Sequence, residues 1–207
     1  MRPGRYISLE GIDGAGTTTQ SKLTAQWLRS KGRTVIETFE PTDRAVGKII
    51  RQALAARMPG REGVEIEPQL FALLFAADRL DNTSATVAPA LERGDWVVSD
   101  RCYLSSFAYQ SLGCDLDWVR SLNRCCRRAD LIILLDLDPR TAYERFATKR
   151  ARHDVFERID RLTAIRANYL KVAALLEREG ERIVRIDASA SVEAVAAAVQ
   201  QAASELL

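Results

Sequence analysis

Residues 6–19, Tyr6-Ile7-Ser8-Leu9-Glu10-Gly11-Ile12-Asp13-Gly14-Ala15-Gly16-Thr17-Thr18-Thr19, decide the fold of this chain. An apolar segment runs into three closely spaced glycines and then into a helical pattern carrying Leu23, Trp27 and Leu28. Strand, glycine-rich turn and helix form the context in which G-x-x-x-x-G-K-[ST] cradles phosphate, and Gly11, Gly16 and Thr18 match that pattern. Glycines at 11, 14 and 16 let the backbone curl so that successive N–H groups face an anion. The N-terminus of the following helix adds partial positive charge. Gly11, Asp13, Gly14, Ala15, Gly16, Thr17, Thr18 and Thr19 are therefore the candidate nucleotide-binding residues, with Thr18 as the hydroxyl expected to meet Mg2+.

Thr17 stands where the pattern has lysine. That lysine normally reaches the β- and γ-phosphates as a point charge, whereas threonine donates one neutral hydrogen bond. Without a replacement cation the expected loss is about 10²–10⁴-fold in rate, by analogy with other preorganised donors. Lys22 is poorly placed to substitute, roughly 140° around the helix and about 7.5 Å along it. Arginines from a lid are the better source. The stretch 145–158 carries Arg145, Lys149, Arg150, Arg152 and Arg158 between two helical patterns, and its alternative is a solvated charged face.

The rest of the chain extends the same architecture. Short apolar runs at 5–9, 34–39, 96–99, 131–136 and 183–187 read as strands, and Leu131-Ile132-Ile133-Leu134-Leu135 lacks alternation, as a strand buried on both faces should. Helical stripes lie between them. Leu162, Ile165, Tyr169, Val172 and Leu176 form one, and Val192, Val195, Val199, Ala202 and Leu206 form another. This alternation predicts a five-stranded parallel sheet with helices on both faces. At 207 residues the chain fits a single domain, 1–207, with a short lid at about 147–158. Pro59-Gly60 and the residues to Glu67 read as a surface loop.

Composition narrows the class. A formal charge of +2 gives no bulk attraction to nucleic acid, and only five of the thirty basic residues are lysine. Cys102, Cys114, Cys125 and Cys126 lack C-x-x-C spacing and His153 is the one histidine, so a zinc site is not expected and free thiols in a reducing compartment are. No apolar run approaches about 18 residues and no signal core opens the chain, so the expectation is a cytoplasmic protein without a membrane partner.

Further candidates sit at strand ends and on one helix. Asp100-Arg101 closes the run Trp96-Val97-Val98-Ser99, where ligands gather in open α/β sheets, so Asp100 can orient a metal and Arg101 can clamp phosphate. Asp136-Leu137-Asp138-Pro139 ends the next strand, with a helix-capping turn at least as natural a reading as a site. Phe75 and Arg79, four residues apart, share a helix face that suits stacking on a base, or else core packing with a snorkelling arginine.

Taken together these segments resemble thymidylate (dTMP) kinase, within the P-loop nucleoside monophosphate kinases. The resemblance rests on Leu9-Glu10-Gly11-Ile12-Asp13-Gly14-Ala15-Gly16, Glu40-Pro41-Thr42, Leu74-Phe75-Ala76-Ala77-Asp78-Arg79, Asp100-Arg101 with Ser105-Ser106-Phe107-Ala108-Tyr109-Gln110, and Asp154-Val155-Phe156-Glu157 leading to Arg166-Ala167-Asn168-Tyr169-Leu170. It implies phosphorylation of dTMP to dTDP by ATP with Mg2+, in a homodimer. It also implies that Phe75 stacks on thymine, Arg79 reaches a base carbonyl, Ser106 and Gln110 lie at the base edge, and Tyr109 lies against the sugar. Glu40, Arg51 and Arg101 would serve the acceptor side, Asp13 would help place the acceptor, and Thr18 and Asp100 would hold the metal. Ala15 leaves the loop without a catalytic arginine, so Arg150 and Arg152, then Arg158, are expected to supply it from the lid. The chain departs from the family at Thr17, at Phe39 before Glu-Pro, where many bacterial relatives carry arginine, and at Cys102, where tyrosine or histidine is usual. A kinase for another nucleoside monophosphate, or a non-catalytic nucleotide-binding protein, are the alternatives.

Overall fold

The computed structural model describes residues 4–55, 66–146 and 155–207. In order these form β1 (Tyr6–Gly11), α1 (Thr17–Ser30), β2 (Val35–Phe39), α2 (Ala45–Leu54), α3 (Pro68–Asn82), a π-helical turn at Thr83–Val87, α4 (Ala88–Glu92), β3 (Trp96–Asp100), α5 (Tyr103–Tyr109), a 3₁₀ turn at Gln110–Leu112, α6 (Leu116–Leu122), β4 (Leu131–Asp136), α7 (Pro139–Phe146), α8 (Val155–Arg178), β5 (Ile183–Asp187) and α9 (Val192–Ser204). The five strands lie within two residues of the runs expected from sequence.

All pairings are parallel, in the order β2-β3-β1-β4-β5. β1 and β4 are buried along nearly their whole length because both have neighbours on either side and helices above and below. Edge strands β2 and β5 carry mixed patterns instead. The chain leaves β1 toward β2, returns to β3, then crosses over β1 to β4. Right-handed crossovers place α1 on one face and α3, α5 and α8 on the other. α9 packs on α1, and α5 on α8.

The α8 stripe Leu162, Ile165, Tyr169, Val172 and Leu176 is buried as its spacing demands. The α9 stripe is shorter than expected: Val195, Val199 and Ala202 are buried, but Val192 in the first turn is 48% exposed. Among the described residues no helix is long and apolar enough to cross a membrane. All four cysteines are free. The direction of the connections reverses around β1, and beyond the carboxyl ends of β1 and β3 Thr18 meets Asp100 and Asp13 meets Arg101.

Candidate active site

The phosphate loop is built by backbone conformation. Gly16 precedes α1 with φ 97° and no side-chain hydrogen bond caps that helix, so its first-turn N–H groups stay available to an anion. Gly14 has φ 86°, and a Cβ there would stand 2.4 Å from the carbonyl oxygen of Ala142, so α7 lies directly on the loop. Thr17 is 7% exposed and brings no charge. Thr18 donates its hydroxyl to Asp100 Oδ2 at 2.5 Å, while Asp100 Oδ1 is buried with no hydrogen-bond partner. A hydroxyl beside a carboxylate with a free oxygen fits a hard cation such as Mg2+. No cluster of three or more acid, histidine or cysteine ligands occurs among the described residues, so phosphate and water would complete the coordination.

Arg101 is held in a conformation rare for a residue with a side chain, φ 76°, at a cost of about 1–3 kcal/mol. Its Nη1 donates to the Gly11 carbonyl at 2.9 Å and to the hydroxyls of Ser105 and Tyr169 at 3.2 Å each. Its Nη2 donates to Asp13 Oδ1 at 2.7 Å. The guanidinium sits 5.4 Å over the Tyr109 ring, and the Tyr109 hydroxyl donates to the same Asp13 oxygen at 3.2 Å. Burial pushes that hydroxyl up to about 12 although Arg101 pulls the other way, so Tyr109 stays a neutral donor. Asp13, Arg101 and Tyr109 therefore form one assembly at the lip of the phosphate loop.

Beyond β2, Glu40 precedes a cis Glu40–Pro41 peptide. Glu40 and Arg79 form an ion pair at 2.6 Å with both side chains 3% exposed. Arg79 Nη1 also donates to Asn123 and Nη2 to the Cys102 carbonyl. Burial pushes the Glu40 carboxyl up to about 7 against the pull of Arg79. Arg79 thus fastens β2, the β3–α5 corner and the end of α6 together, leaving only its Nε without a partner. Phe75, one turn earlier on α3, is half-buried. Arg51 donates to the carbonyls of Pro41 and Thr42 at 2.7 and 2.6 Å and to Asp43 at 2.7 Å. Asp78 secures the same corner by accepting from the Thr42 N–H at 2.8 Å and its hydroxyl at 2.6 Å. Ser106 Oγ and Gln110 Oε1 are buried without hydrogen-bond partners.

The remaining candidates divide. Asp138 caps α7, its Oδ1 accepting from the N–H groups of Arg140 and Thr141 at 3.0 and 3.2 Å, so the capping reading holds there. Asp136 pairs with Arg166 at 2.6 Å and Arg185 at 2.5 Å. Those hydrogen bonds, from Arg166 foremost, hold its carboxyl below the usual carboxylate range. Arg158 is exposed in the first turn of α8, whereas Arg150 and Arg152 lie outside the described residues. Sequence reasoning missed Glu10, Asp78 and Asn123. For Glu10 and Asp78 the available signal was an acid inside an otherwise apolar stretch, a group that burial tolerates only when partnered, whereas Asn123 sits among arginines and gave none.

The thymidylate kinase family model matches residues 9–199. A probable thymidylate kinase of Thermococcus gammatolerans is 43% identical over 177 residues, 83% of this chain and 84% of that protein. Its counterpart in Thermococcus onnurineus is 43% identical over 91% of each chain. A thymidylate kinase of Leifsonia xyli subsp. xyli is 42% identical over 96% of this chain and 94% of its own. With the loop, the Thr18–Asp100 pair and the Asp13–Arg101–Tyr109 assembly in place, this chain belongs to the thymidylate kinase family.

Proposed function

We propose that this chain transfers the terminal phosphoryl group of ATP to the 5′-phosphate of dTMP, with Mg2+ as the metal. The placement of Arg101 carries the reading: one guanidinium bonds the phosphate-loop carbonyl of Gly11, Asp13 and the α5 hydroxyl of Ser105, and stacks on Tyr109. Donor loop and acceptor wall meet at a single cation. The choice of dTMP is supported by relatives that bear the thymidylate name across most of their length.

In this reading the ATP phosphates lie on the N–H groups of the loop, and Thr18 and Asp100 hold the metal. When bound there, Mg2+ supplies charge neutralisation on the phosphates. Arg101 and Arg51 receive the acceptor phosphate. Arg51 is suited to this because its Asp43 partner is 78% exposed, a contact a phosphate can replace. Phe75 stacks on the base and Arg79 offers its unpartnered Nε–H to a base carbonyl. Ser106 Oγ and Gln110 Oε1, buried and unpartnered, meet the base edge, and Tyr109 lies against the sugar. Glu40 serves by holding Arg79. The charge missing at Thr17 comes from lid arginines, Arg150 or Arg152 first and Arg158 next.

The enzyme is further proposed to be a cytoplasmic homodimer paired through α3, where Leu73 and Leu80, two turns apart, are 48% and 46% exposed. Sedimentation at micromolar concentration tests this, and a monomer would end it.

The first experiment is ADP release with ATP, Mg2+ and dTMP, for the native chain and Thr17→Lys. Native turnover is expected, with lysine changing kcat by less than about tenfold because lid cations already supply the charge. Activity that appears only in the lysine variant would overturn lid compensation. The neutral, buried Thr17 favours one second reading, a nucleotide-binding protein without turnover; dTMP binding with no ADP release from either form would select it.

A further inference from the structure

One fully buried acid lies beneath the site and takes no part in the contacts assigned above. Glu10, next to last in β1, is 0% exposed. A carboxyl at the centre of a parallel sheet is costly unless its lone pairs are met. Its Oε1 accepts from the Cys102 N–H at 2.7 Å and faces the Ser8 hydroxyl at 3.4 Å. Its Oε2 accepts from the hydroxyls of Ser105 at 2.6 Å and Tyr169 at 3.1 Å.

These partners have one thing in common. The Cys102 N–H belongs to the peptide that follows Arg101, the residue at φ 76°. The Ser105 and Tyr169 hydroxyls, 2.7 Å from each other, are the same two that accept from Arg101 Nη1. A hydroxyl has one proton and two lone pairs. With the Tyr169 proton shared between Ser105 and Glu10 and the Ser105 proton on Glu10, the chain of donors ends on the carboxylate and leaves a lone pair of each hydroxyl toward the guanidinium. The backbone turn at Arg101 and the cradle of its side chain thus both end on one carboxyl.

We propose that Glu10 is the positioning residue for Arg101, acting through the Cys102 amide and the two hydroxyls without touching substrate. The kinetic consequence rests on reading Arg101 as a ligand of the acceptor phosphate; the geometric one does not. A glutamine at this position keeps an acceptor for the Cys102 N–H but presents N–H donors to hydroxyls that already receive one from Arg101, so the cradle comes apart. Tyr169→Phe removes one arm of it and leaves the carboxyl in place.

The test is steady-state kinetics of Glu10→Gln, Tyr169→Phe and the double variant, together with a crystal structure of Glu10→Gln. KM for dTMP is expected to rise about tenfold to a hundredfold in each single variant, the range set by losing a buried hydrogen bond to a charged group. KM for ATP should stay nearly unchanged, and the double variant should be no worse than the worse single, because both act through Arg101. An unchanged KM for dTMP, an equal rise for both nucleotides, or additive losses would overturn the proposal. In the crystal, Arg101 should have left the Gly11 carbonyl; an undisturbed Arg101 overturns the proposal whatever the kinetics. If Arg101 is displaced but dTMP is not a substrate of the native chain, positioning stands and the acceptor reading falls. Should Glu10→Gln not fold, Tyr169→Phe asks the same question on both readouts.

Discussion

Gly14 and Gly16 both have positive φ, 86° and 97°, yet they face different constraints. A Cβ at Gly16 meets nothing within 4 Å, while one at Gly14 runs into the Ala142 backbone at 2.4 Å. Gly16→Ala therefore carries backbone strain alone, about 1–2 kcal/mol. Gly14→Ala adds displacement of α7 from the loop, for a total of about 2–5 kcal/mol. Denaturant unfolding of the two variants should show this order, and equal losses would mean that α7 does not rest on Gly14. The same contact explains why the loop needs a small residue at 14, a requirement that phosphate binding alone does not impose.

Among elements, β4 ends on Asp136, whose side chain is 9% exposed and joins Arg166 of α8 to Arg185 of β5. Through Arg166 this carboxylate anchors α8 to the sheet. Arg166 and Arg185 hold the Asp136 carboxyl below its ordinary value of 3.8, against the opposing effect of burial. The sign follows from linkage: a depressed folded pKa contributes stability that is present above the unfolded pKa and lost as pH falls through the folded one. Asp136→Asn should cost about 1–3 kcal/mol near neutral pH, with the deficit shrinking below about pH 4 as the native carboxylate takes up its proton. Chemical denaturation across that range checks it. A deficit that stays constant into acid would show that the charge plays no part.

For the molecule as a whole, the phosphate loop, the β2–α2 corner and α5 come from distant parts of the chain, so a ligand that bridges them binds only the folded state. dTMP at about 100 times its Kd should add about 2.7 kcal/mol of stability, or about 5–10 °C in Tm for a chain of this size. Ribothymidine 5′-monophosphate, which differs from dTMP only in its 2′-hydroxyl, should add far less at the same concentration if Tyr109 lies against the sugar as proposed. Differential scanning calorimetry with both nucleotides decides the point, and equal shifts would remove sugar discrimination from the proposal.

The elements and the glycine-rich loop before α1 were legible in the sequence. Unbroken aliphatic runs such as Leu131–Leu135 report burial on both faces, and the glycines before α1 report a backbone that must curl, because each property is local to a few residues. That Asp100 would lie near the phosphate loop was legible for a related reason: the carboxyl ends of parallel strands gather at one edge whatever their order. Arg79 was not. Its helical spacing from Phe75 left open a contact with a base or core packing, and did not show that Glu40, Asn123 and the Cys102 carbonyl would surround it. Glu10 was likewise silent as a partner of Arg101, since nothing in its neighbours shows that Ser105 and Tyr169 will lie over it. Strand order, the pairing of buried charges and the polar atoms left unpartnered at Ser106 and Gln110 came from the tertiary packing alone. Periodicity records what each segment must bury, whereas the partner of a buried charge is set by which distant segments pack around it.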